Sequence, residues 1–402
     1  MRLLFVVQRY GVEVAGGAEA HCRMFAERLS ERGHDVGVLT SCARDYDTWA
    51  DVYPVGAESL HGVDVHRLPV VAPRDPARFD AVSRRIAASR RPDPVVEDAW
   101  MFEQGPTLAG FGPELRRLAA EHDVVIFFTY LYGTTVMGLR ELGGLTPSIL
   151  HPTAHEEWPL RLPSIRASFD RVDGLAVSTP EERDLVELRF RPTVPHEVIG
   201  IGFEPPVFRP GGTDRFRERF GLGDAPYVLC LGRVDPNKGS GEAIAFMDEF
   251  RRRHDRDVTL VMCGADMMGI DERPGLIVTG FVDDDERWSA LQGAAVVVQP
   301  SRQESFGMTL AEAWLARRPV LVQSACDVTA GLARRSGGGL AYGAYSSFDA
   351  ALGLLLDRPD LADALGANGE RHVRETYSWD AVLGRYEELL ERVRLRSSAS
   401  AR

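Results

Sequence analysis

The chain has 402 residues, of which 44% are hydrophobic and 26% charged, a globular composition that is long enough for two domains. Its net charge of -12 argues against nucleic acid as the main partner, because a phosphate backbone needs a basic face. The five cysteines include no C-x-x-C pair, so neither a disulfide framework nor a zinc site is predicted, and a reducing cytoplasm is the expected location.

A short buried strand, Leu3–Val7, opens the chain and is shorter than the apolar segment of a secretory signal. Gly16 and Gly17 follow it, and a helix through Met24 and Leu29 comes next. Glycines let a ligand approach the backbone closely, and a helix N-terminus favours an anion. The turn is therefore a candidate anion-binding loop, although it lacks the G-x-G-x-x-G pattern of a dinucleotide site.

Apolar strands and amphipathic helices alternate through the rest of the first half, which is typical of a parallel sheet covered on both faces. Residues 42–110 are less regular, as in a functional segment or lid. Residues 205–212 are rich in Pro and Gly and predict an interdomain linker. The further strands predicted in this half are Val36–Leu39, Val63–Leu68, Val124–Phe128, Ser148–Leu150, Gly174–Val177 and Glu197–Ile199.

Two histidines, His151 and His155, follow the predicted strand Ser148–Leu150. A histidine at the carboxyl end of a strand can donate a hydrogen bond to a sugar or stabilise charge beside a leaving group. His155 is preferred, His151 competes with it, and a purely structural histidine stays open. Glu156 and Glu157 beside them would suit a metal, but no H-E-x-x-H pattern is present and no metal site is predicted.

A second series of strands begins at Tyr227–Leu231, and the loop after it carries Arg233 and Lys238. Arginine can grip a phosphate through two N–H groups and lysine adds a point charge, so the loop is a candidate diphosphate site. Lys238 is the only lysine among the 47 basic residues. In a chain with the arginine bias of a GC-rich genome, a retained lysine favours a narrow anion site over an ordinary basic turn.

Three acidic residues, Asp283 to Asp285, resemble a D-x-D metal motif. Their place between a strand and a helix instead predicts a helix N-cap followed by first-turn acids. Phe281 and Val282, just before them, are candidates to flank a base. The strands predicted in this half after Tyr227–Leu231 are Thr259–Cys263, Leu276–Val278, Ala295–Gln299 and Pro319–Val322.

The strongest signal lies between Glu304 and Glu312, where a helix opens after the strand Ala295–Gln299. The first N–H groups of that helix have no partner within it and, with the helix dipole, suit a diphosphate. Glu304 would then face sugar hydroxyls, and Glu312 could accept from a ribose; a helix-start carboxylate and a solvated face are the structural alternatives. The other candidate binding residues of this segment are Phe306, Gly307, Met308 and Thr309.

The chain ends with an amphipathic helix over residues 379–395 that can pack back on the first domain, and a polar tail, 396–402, is expected to be disordered. These patterns predict domains at 1–202 and 203–378. Ligands of such sheets bind at the carboxyl ends of strands near a switch point, so one shared site between the two domains is expected.

Three segments together resemble the retaining glycosyltransferases of family 4: the turn 16–19, the G-R-x-x-x-x-K-G loop 232–239 and the Glu304–Glu312 element. The linker 200–210 is also similar to that family's. The resemblance implies an α/β protein of GT-B architecture, in which two doubly wound Rossmann-like domains face a central cleft. It further implies metal-independent transfer from a UDP- or GDP-sugar, with retention at the anomeric carbon and no cofactor besides this co-substrate.

The resemblance also implies roles for single residues. Arg233 and Lys238 would bind the diphosphate, Glu312 the ribose and Glu304 the donor sugar. The turn with Gly16 and Gly17 would face the donor phosphates, and His155-Glu156 resembles the family's His-Asp pair. Glu304 and His155 are thus the candidate catalytic residues. Residues 316–319 lack the glycine that is usual in the family after the second glutamate.

Two other functions stay open at this point: a sugar-nucleotide epimerase with the same architecture, and a non-catalytic subunit that binds sugar nucleotides. The acceptor is expected to carry a hydroxyl group, on a glycan, a lipid-linked sugar or a small molecule. Peripheral contact with the inner face of the cell membrane stays open as well.

Overall fold

The computed structural model describes residues 1–14, 16–89, 92–271 and 273–400, with side chains to residue 397. The chain forms two compact units. Unit one comprises Met1–Ile199 and the segment from Leu383 onward, and unit two is Gly200–Val382. All five cysteines are buried free thiols.

Unit one is built around an eight-stranded sheet. Its strands are β1 (Arg2–Val6), β2 (Asp35–Ser41), β3 (Gly56–Leu60), β4 (Val63–Leu68), β5 (Val124–Phe128), β6 (Ser148–His151), β7 (Gly174–Val177) and β8 (His196–Val198). Their spatial order is β3-β4-β2-β1-β5-β6-β7-β8, parallel except for the hairpin of β3 and β4. The direction of winding reverses between β1 and β5, which is the switch point of this sheet.

Helices cover the sheet of unit one. They are α1 (Gly17–Glu31), α2 (Pro76–Ala87), α3 (Pro94–Gln104), α4 (Phe111–Ala119), α5 (Gly133–Leu142), α6 (Pro163–Arg171) and α7 (Pro180–Phe190). Strand β5 has the sequence Val-Val-Ile-Phe-Phe and every residue of it is buried, as expected for a strand covered on both faces. Phe127 and Phe128 are therefore core residues.

Unit two contains a six-stranded parallel sheet. Its elements are α8 (Gly212–Arg219), β9 (Tyr227–Leu231), α9 (Ser240–His254), β10 (Thr259–Cys263), β11 (Leu276–Gly280), α10 (Asp284–Gly293), β12 (Val296–Gln299), α11 (Met308–Leu315), β13 (Val320–Gln323), α12 (Asp327–Ser336), β14 (Gly339–Tyr342), α13 (Tyr345–Asp357) and α14 (Pro359–Thr376). The strand order is β11-β10-β9-β12-β13-β14, so the switch point lies between β9 and β12.

The last helix, α15, spans Trp379–Ser400 and corrects the prediction of a disordered tail over residues 396–400, whereas residues 401 and 402 of that prediction lie outside the described part of the chain. Its residues from Leu383 onward belong to unit one, and Arg385 donates to the carbonyl of Ile199. Arg396 Nη1 donates to the carbonyl of Thr193 at 3.1 Å, which continues these contacts beyond the predicted helix end. The sequence at the end of α15 is polar and would fray by itself. The hydrogen bonds to Ile199 and Thr193 stabilise the helix there.

Every strand predicted from the sequence is present, with ends that shift by one or two residues. Strands β3 and β14 were not predicted. Strand β3 has four exposed residues out of five, so it carries no hydrophobic alternation, and β14 begins directly after two glycines. Of the residues described, none form a helix that is long and apolar enough to cross a membrane.

Candidate active site

The predicted site residues fall into two groups, one in each unit. In unit two most of them lie in the loops that follow β9 and β12, at the carboxyl edge of the switch point, while Glu312 lies on α11 and Phe281 and Val282 follow β11. Gly239 brings these loops together: its φ is 75°, and a Cβ there would lie 2.4 Å from the carbonyl oxygen of Pro300. Only glycine fits such an approach, so the Lys238-Gly239 sequence fixes one loop against the other.

The two loops meet through Lys238 and Glu304. Lys238 Nζ donates to Glu304 Oε1 at 2.7 Å, and the two side chains are 38% and 14% exposed. A short 3₁₀ turn, Pro236–Lys238, places the lysine, and the Asp235 carboxylate caps this turn by accepting from Asn237 N at 2.7 Å. A cation and a carboxylate are thus paired at the edge of the sheet where a ligand can reach both.

Helix α11 begins beside this pair. Its N-cap is Gly307, with a φ of 85° that favours glycine, and the N–H groups of Met308 and Thr309 belong to its first turn. The Phe306 side chain is 2% exposed and lies against Phe203 and Tyr377, with ring centroids 5.9 Å and 5.1 Å away. Phe306 therefore anchors the loop, and only its backbone is available to a ligand.

Glu312 lies farther along α11 and pairs with Arg287 of α10. Arg287 also contacts Asp284 at 3.2 Å. Burial raises the pKa of the Glu312 carboxyl, and the positive charge of Arg287 opposes that shift. The arginine therefore keeps a nearly buried carboxylate available as an acceptor, with 18% of the side chain exposed.

The remaining predicted residues of unit two differ in exposure. The Arg233 side chain is 46% exposed, with its guanidinium 3.9 Å from the Asp235 carboxylate. Phe281 is 88% exposed, whereas Val282 is only 9% exposed. Of this pair, Phe281 is the one that can lie against a base.

The acidic run before α10 serves the helix, as predicted. Asp283 is the N-cap and its carboxylate accepts from Glu286 N at 2.8 Å, while Asp284, Asp285 and Glu286 lie in the first turn. The N-cap prediction is thus confirmed. The described part of the chain contains no group of three His, Cys, Asp or Glu side chains placed to hold a metal ion.

In unit one, Gly16 and Gly17 are exposed at the start of α1, next to the carboxyl end of β1. A Cβ on Gly16 would lie 2.2 Å from Glu19 Oε2. Glu19 itself is buried and forms an ion pair with buried Arg9, and it also accepts from Gln8 Nε2 at 2.8 Å. The glycine thus makes room for a buried charge pair directly beneath the exposed turn.

The structure separates the two candidate histidines. His151 is 1% exposed, stacks on Phe128 with ring centroids 4.2 Å apart, and has Nε2 3.0 Å from Tyr386 Oη. Burial and the neighbouring His21 lower the pKa of His151 well below its usual value, so the ring is neutral. His151 is a core residue that joins α15 to the sheet, which leaves His155 as the accessible histidine.

His155 is 31% exposed, and its Nε2 lies 3.6 Å from Glu157 Oε1. Its Nδ1 is buried and has no hydrogen-bond partner among the described residues. Tyr130 donates a hydrogen bond to Glu157, and burial raises the pKa of Tyr130, so the phenol stays protonated. Glu156 instead forms an ion pair with Arg189, so Glu157 is the acidic residue beside the imidazole.

Four residues of these groups were not predicted from the sequence: Arg9, Tyr130, Glu157 and Arg287. A signal existed for Arg9, because a charged residue directly after a buried strand lies at the ligand edge of the sheet. No local pattern links Arg287 to Glu312 or Tyr130 to Glu157, since each pair joins separate elements.

Comparison with known proteins agrees with this architecture. Residues 213–372 match the family described as glycosyl transferases group 1, and residues 16–202 match the glycosyl transferase 4-like domain. The structure of Anabaena HepE in complex with UDP is similar with a TM-score of 0.69 and 14% identity, covering 97% of this chain and 100% of the other, which shows the same GT-B fold.

Two curated relatives cover most of the chain. The D-inositol 3-phosphate glycosyltransferase of Thermobispora bispora is 31% identical over 95% of this chain and 92% of its own length. The GDP-mannose-dependent alpha-(1-6)-phosphatidylinositol monomannoside mannosyltransferase of Mycobacterium tuberculosis is 27% identical over 82% of this chain and 91% of its own. By these matches the chain belongs to the group 1 glycosyl transferases and is a glycosyltransferase of GT-B fold.

Proposed function

We propose that this enzyme transfers a hexose-type sugar from a UDP- or GDP-sugar to a hydroxyl group, with retention at the anomeric carbon and without a metal ion. The observation that carries the proposal is the contact of Lys238 with Glu304 beside the N-terminus of α11. It combines a cation, free helix N–H groups and a carboxylate at the switch point of one sheet. The cation and the N–H groups can bind a diphosphate, and the carboxylate can accept hydrogen bonds from sugar hydroxyls.

In this proposal the positive groups of unit two hold the diphosphate. Arg233, Lys238 and the first turn of α11 supply the field that a metal ion provides in other enzymes, and they stabilise the charge that develops on the departing diphosphate. Glu312, held by Arg287, accepts from the ribose hydroxyls, and the exposed Phe281 ring lies against the base. Related proteins support both nucleotide types, since one is named for GDP-mannose and another binds UDP.

Glu304 is proposed to orient the sugar ring rather than to attack it. As the bond from sugar to phosphate breaks, the sugar gains oxocarbenium character, and contacts that hold its hydroxyls in place strengthen the transition state. The departing phosphate oxygen can accept the proton of the acceptor hydroxyl on the same face of the ring. The new bond then forms on the face from which the diphosphate leaves, which retains the configuration.

In unit one, we propose that His155 donates a hydrogen bond to a substrate and that the N–H groups at Gly16 and Gly17 bind a phosphate. The relatives act on inositol phosphate and on a phosphatidylinositol mannoside, so a polyol, a glycan or a lipid-linked sugar is the proposed acceptor class. We place the enzyme in the cytoplasm, with peripheral membrane contact if the acceptor is lipid-linked.

The proposal is tested by product stereochemistry. The purified enzyme is incubated with α-linked GDP-mannose or UDP-glucose and a panel of polyol and glycoside acceptors. NMR of the product gives the anomeric configuration, from the H1–H2 coupling of a glucoside or the one-bond C1–H1 coupling of a mannoside. We expect an α-linked product, and a loss of kcat/KM of about 10²-fold in Glu304→Gln, comparable to the loss of one preorganised polar contact. A β-linked product would overturn the retaining assignment and the role of Glu304 with it.

Metal independence is measured in the same assay with EDTA. We expect full activity, because the cations and the helix N-terminus already neutralise the diphosphate. Activity that disappears with EDTA and returns with Mn²⁺ or Mg²⁺ would contradict this part of the proposal.

A further inference from the structure

Glu182 is a buried carboxylate in unit one that the proposed transfer does not use. It lies in the first turn of α7, after the N-cap Thr179, whose hydroxyl accepts from Glu182 N at 3.1 Å. The residue is 1% exposed. A buried carboxylate is costly unless its oxygens are hydrogen-bonded, so its partners show what it holds.

The two oxygens of Glu182 bind two different loops. Oε1 accepts from the backbone N–H of Ala154 at 2.5 Å, in the loop after β6. Oε2 accepts from the N–H of Ser178 at 2.5 Å, directly after β7. Since β6 and β7 are adjacent parallel strands, one carboxylate joins the carboxyl ends of both.

The loop after β6 needs such a restraint. Thr153 has a φ of 53°, in the left-handed region that costs a non-glycine residue on the order of 1 kcal/mol or more. Ala154, whose N–H the carboxylate binds, is buried, and His155 is the next residue. The hydrogen bond to Glu182 therefore fixes the Thr153–Ala154 peptide group, one residue before the histidine.

We propose that Glu182 is a positioning residue, which holds the loop Thr153–Glu157 so that the His155 imidazole is presented to the substrate. This inference rests on the role proposed above for His155. It assigns to the start of α7 a function in the reaction that goes beyond capping the helix.

The charge of Glu182 makes the restraint depend on pH. Burial raises the pKa of Glu182 to about 7, opposed by the hydrogen bonds from Ser178 and Ala154. Both N–H groups have a charged acceptor when the carboxylate is ionised, whereas a proton on one oxygen makes that oxygen a weaker acceptor. The restraint is thus complete above pH 7 and weakens as the pH falls below it. The ionisable side chains on the elements around Glu182 are His151, His155, Glu156 and Glu157 on β6 and the loop after it, and Glu181, Arg183, Asp184, Glu187 and Arg189 on α7.

The activity test compares Glu182→Gln with Glu187→Gln, an exposed glutamate on the same helix whose side chain is 49% exposed. We expect Glu182→Gln to lower kcat by about 10-fold to 100-fold with little change in the donor KM, because a displaced group weakens the transition state more than the bound substrate. Glu187→Gln should stay within about 2-fold, as surface substitutions usually do. Glu182→Asp keeps the charge but cannot reach both loops, and is expected to fall between the two.

A double-mutant cycle separates this inference from the proposed function. His155→Ala alone tests the proposed role of the histidine. If Glu182 acts through His155, then His155→Ala with Glu182→Gln loses no more activity than His155→Ala alone. Losses that multiply would overturn the positioning role while leaving the role of His155 intact.

A direct measurement does not depend on activity or on a variant that folds. In the wild-type chain, the N–H proton resonances of Ala154 and Ser178 should move together with a midpoint near pH 7, because both N–H groups bind the Glu182 carboxylate. Amide resonances of Ala154 and Ser178 that do not move over this pH range would overturn the inference.

Discussion

The two sheets hold charge at their switch points in different ways. In unit two, Lys238 and Glu304 form a pair whose side chains are 38% and 14% exposed. In unit one, Arg9 and Glu19 form a pair whose side chains are only 4% and 6% exposed, and Gln8 and the carbonyl of Arg44 complete their hydrogen bonds. In each pair the cation follows the first strand of its sheet, yet only the pair in unit two is open to solvent.

This difference in exposure implies a difference in role. An exposed ion pair contributes little to stability and can exchange its partner for a ligand. A buried pair depends on every one of its hydrogen bonds, because each ion has lost its water. The pair in unit two is therefore available to a substrate, whereas the pair in unit one supports the turn of Gly16 and Gly17 above it.

The largest effect is expected where the buried pair is broken. Glu19→Gln removes the carboxylate charge that is paired with the buried Arg9 guanidinium and should lower the free energy of unfolding of unit one by about 3–5 kcal/mol. Urea denaturation measures the loss, and hydrogen exchange of the β1 amides assigns it to unit one.

The matched control is Glu31→Gln on the same helix, which removes an exposed pair with Arg28. It should change stability by no more than about 0.5 kcal/mol. Equal losses for the two variants would show that the pair of Arg9 and Glu19 is not a buried support, and the comparison between the units would fail.

A smaller effect, on activity instead of stability, is expected at the exposed pair. Lys238→Arg keeps the charge, but the backbone at this position is fixed by the close approach of Gly239 to Pro300, so a larger planar guanidinium cannot take the position of the ammonium group beside Glu304. We expect a loss of about 10²-fold in kcat/KM, with the melting temperature nearly unchanged.

The control for that substitution is Arg256→Lys, an exchange of the same two residue types before β10, where Arg256 pairs with Asp357. It should leave kcat/KM within about 2-fold of wild type, since it lies at the other edge of the sheet. Wild-type turnover and donor affinity in Lys238→Arg would show that the site accepts either cation and that the single lysine has no special role.

The sequence was sufficient for the features that are local in the chain. Gly239, Gly307 and the N-cap Asp283 were placed correctly, because a turn or a helix start depends on a few neighbouring residues. The alternation of apolar strands and helices gave the fold class for the same reason.

The sequence was not sufficient where the partner comes from another element. Arg287 reaches Glu312 across two helices, and Tyr130 reaches Glu157 across two strand ends. The sequence also could not distinguish the buried His151 from the accessible His155. His151 ends β6 and His155 follows it, and the packing that buries His151 includes Tyr386 from α15, more than half the chain away.

The smallest effect is expected at Tyr130, which contacts His155 only indirectly, through Glu157. Tyr130 donates to Glu157, and Glu157 Oε1 is the acceptor 3.6 Å from His155 Nε2. Tyr130→Phe keeps the buried ring and removes only the hydroxyl, so Glu157 loses one of its restraints but not its charge. A hydrogen bond to a charged group contributes about 1.5–3 kcal/mol of stabilisation. Only part of this free energy serves to position the His155 imidazole, because Glu157 lies between the two side chains. We therefore expect kcat to fall by about 3-fold to 10-fold, with an unchanged donor KM.

Tyr345→Phe is the matched control, because it deletes a hydroxyl that donates to Asp349 at 2.8 Å in unit two, outside the candidate site, and it should leave kcat unchanged. If Tyr130→Phe is as active as this control, Glu157 keeps its position without the phenol. If Tyr130→Phe loses as much activity as His155→Ala, Tyr130 itself contacts the substrate. Either result would show that the hydrogen bond from Tyr130 to Glu157 does not position His155.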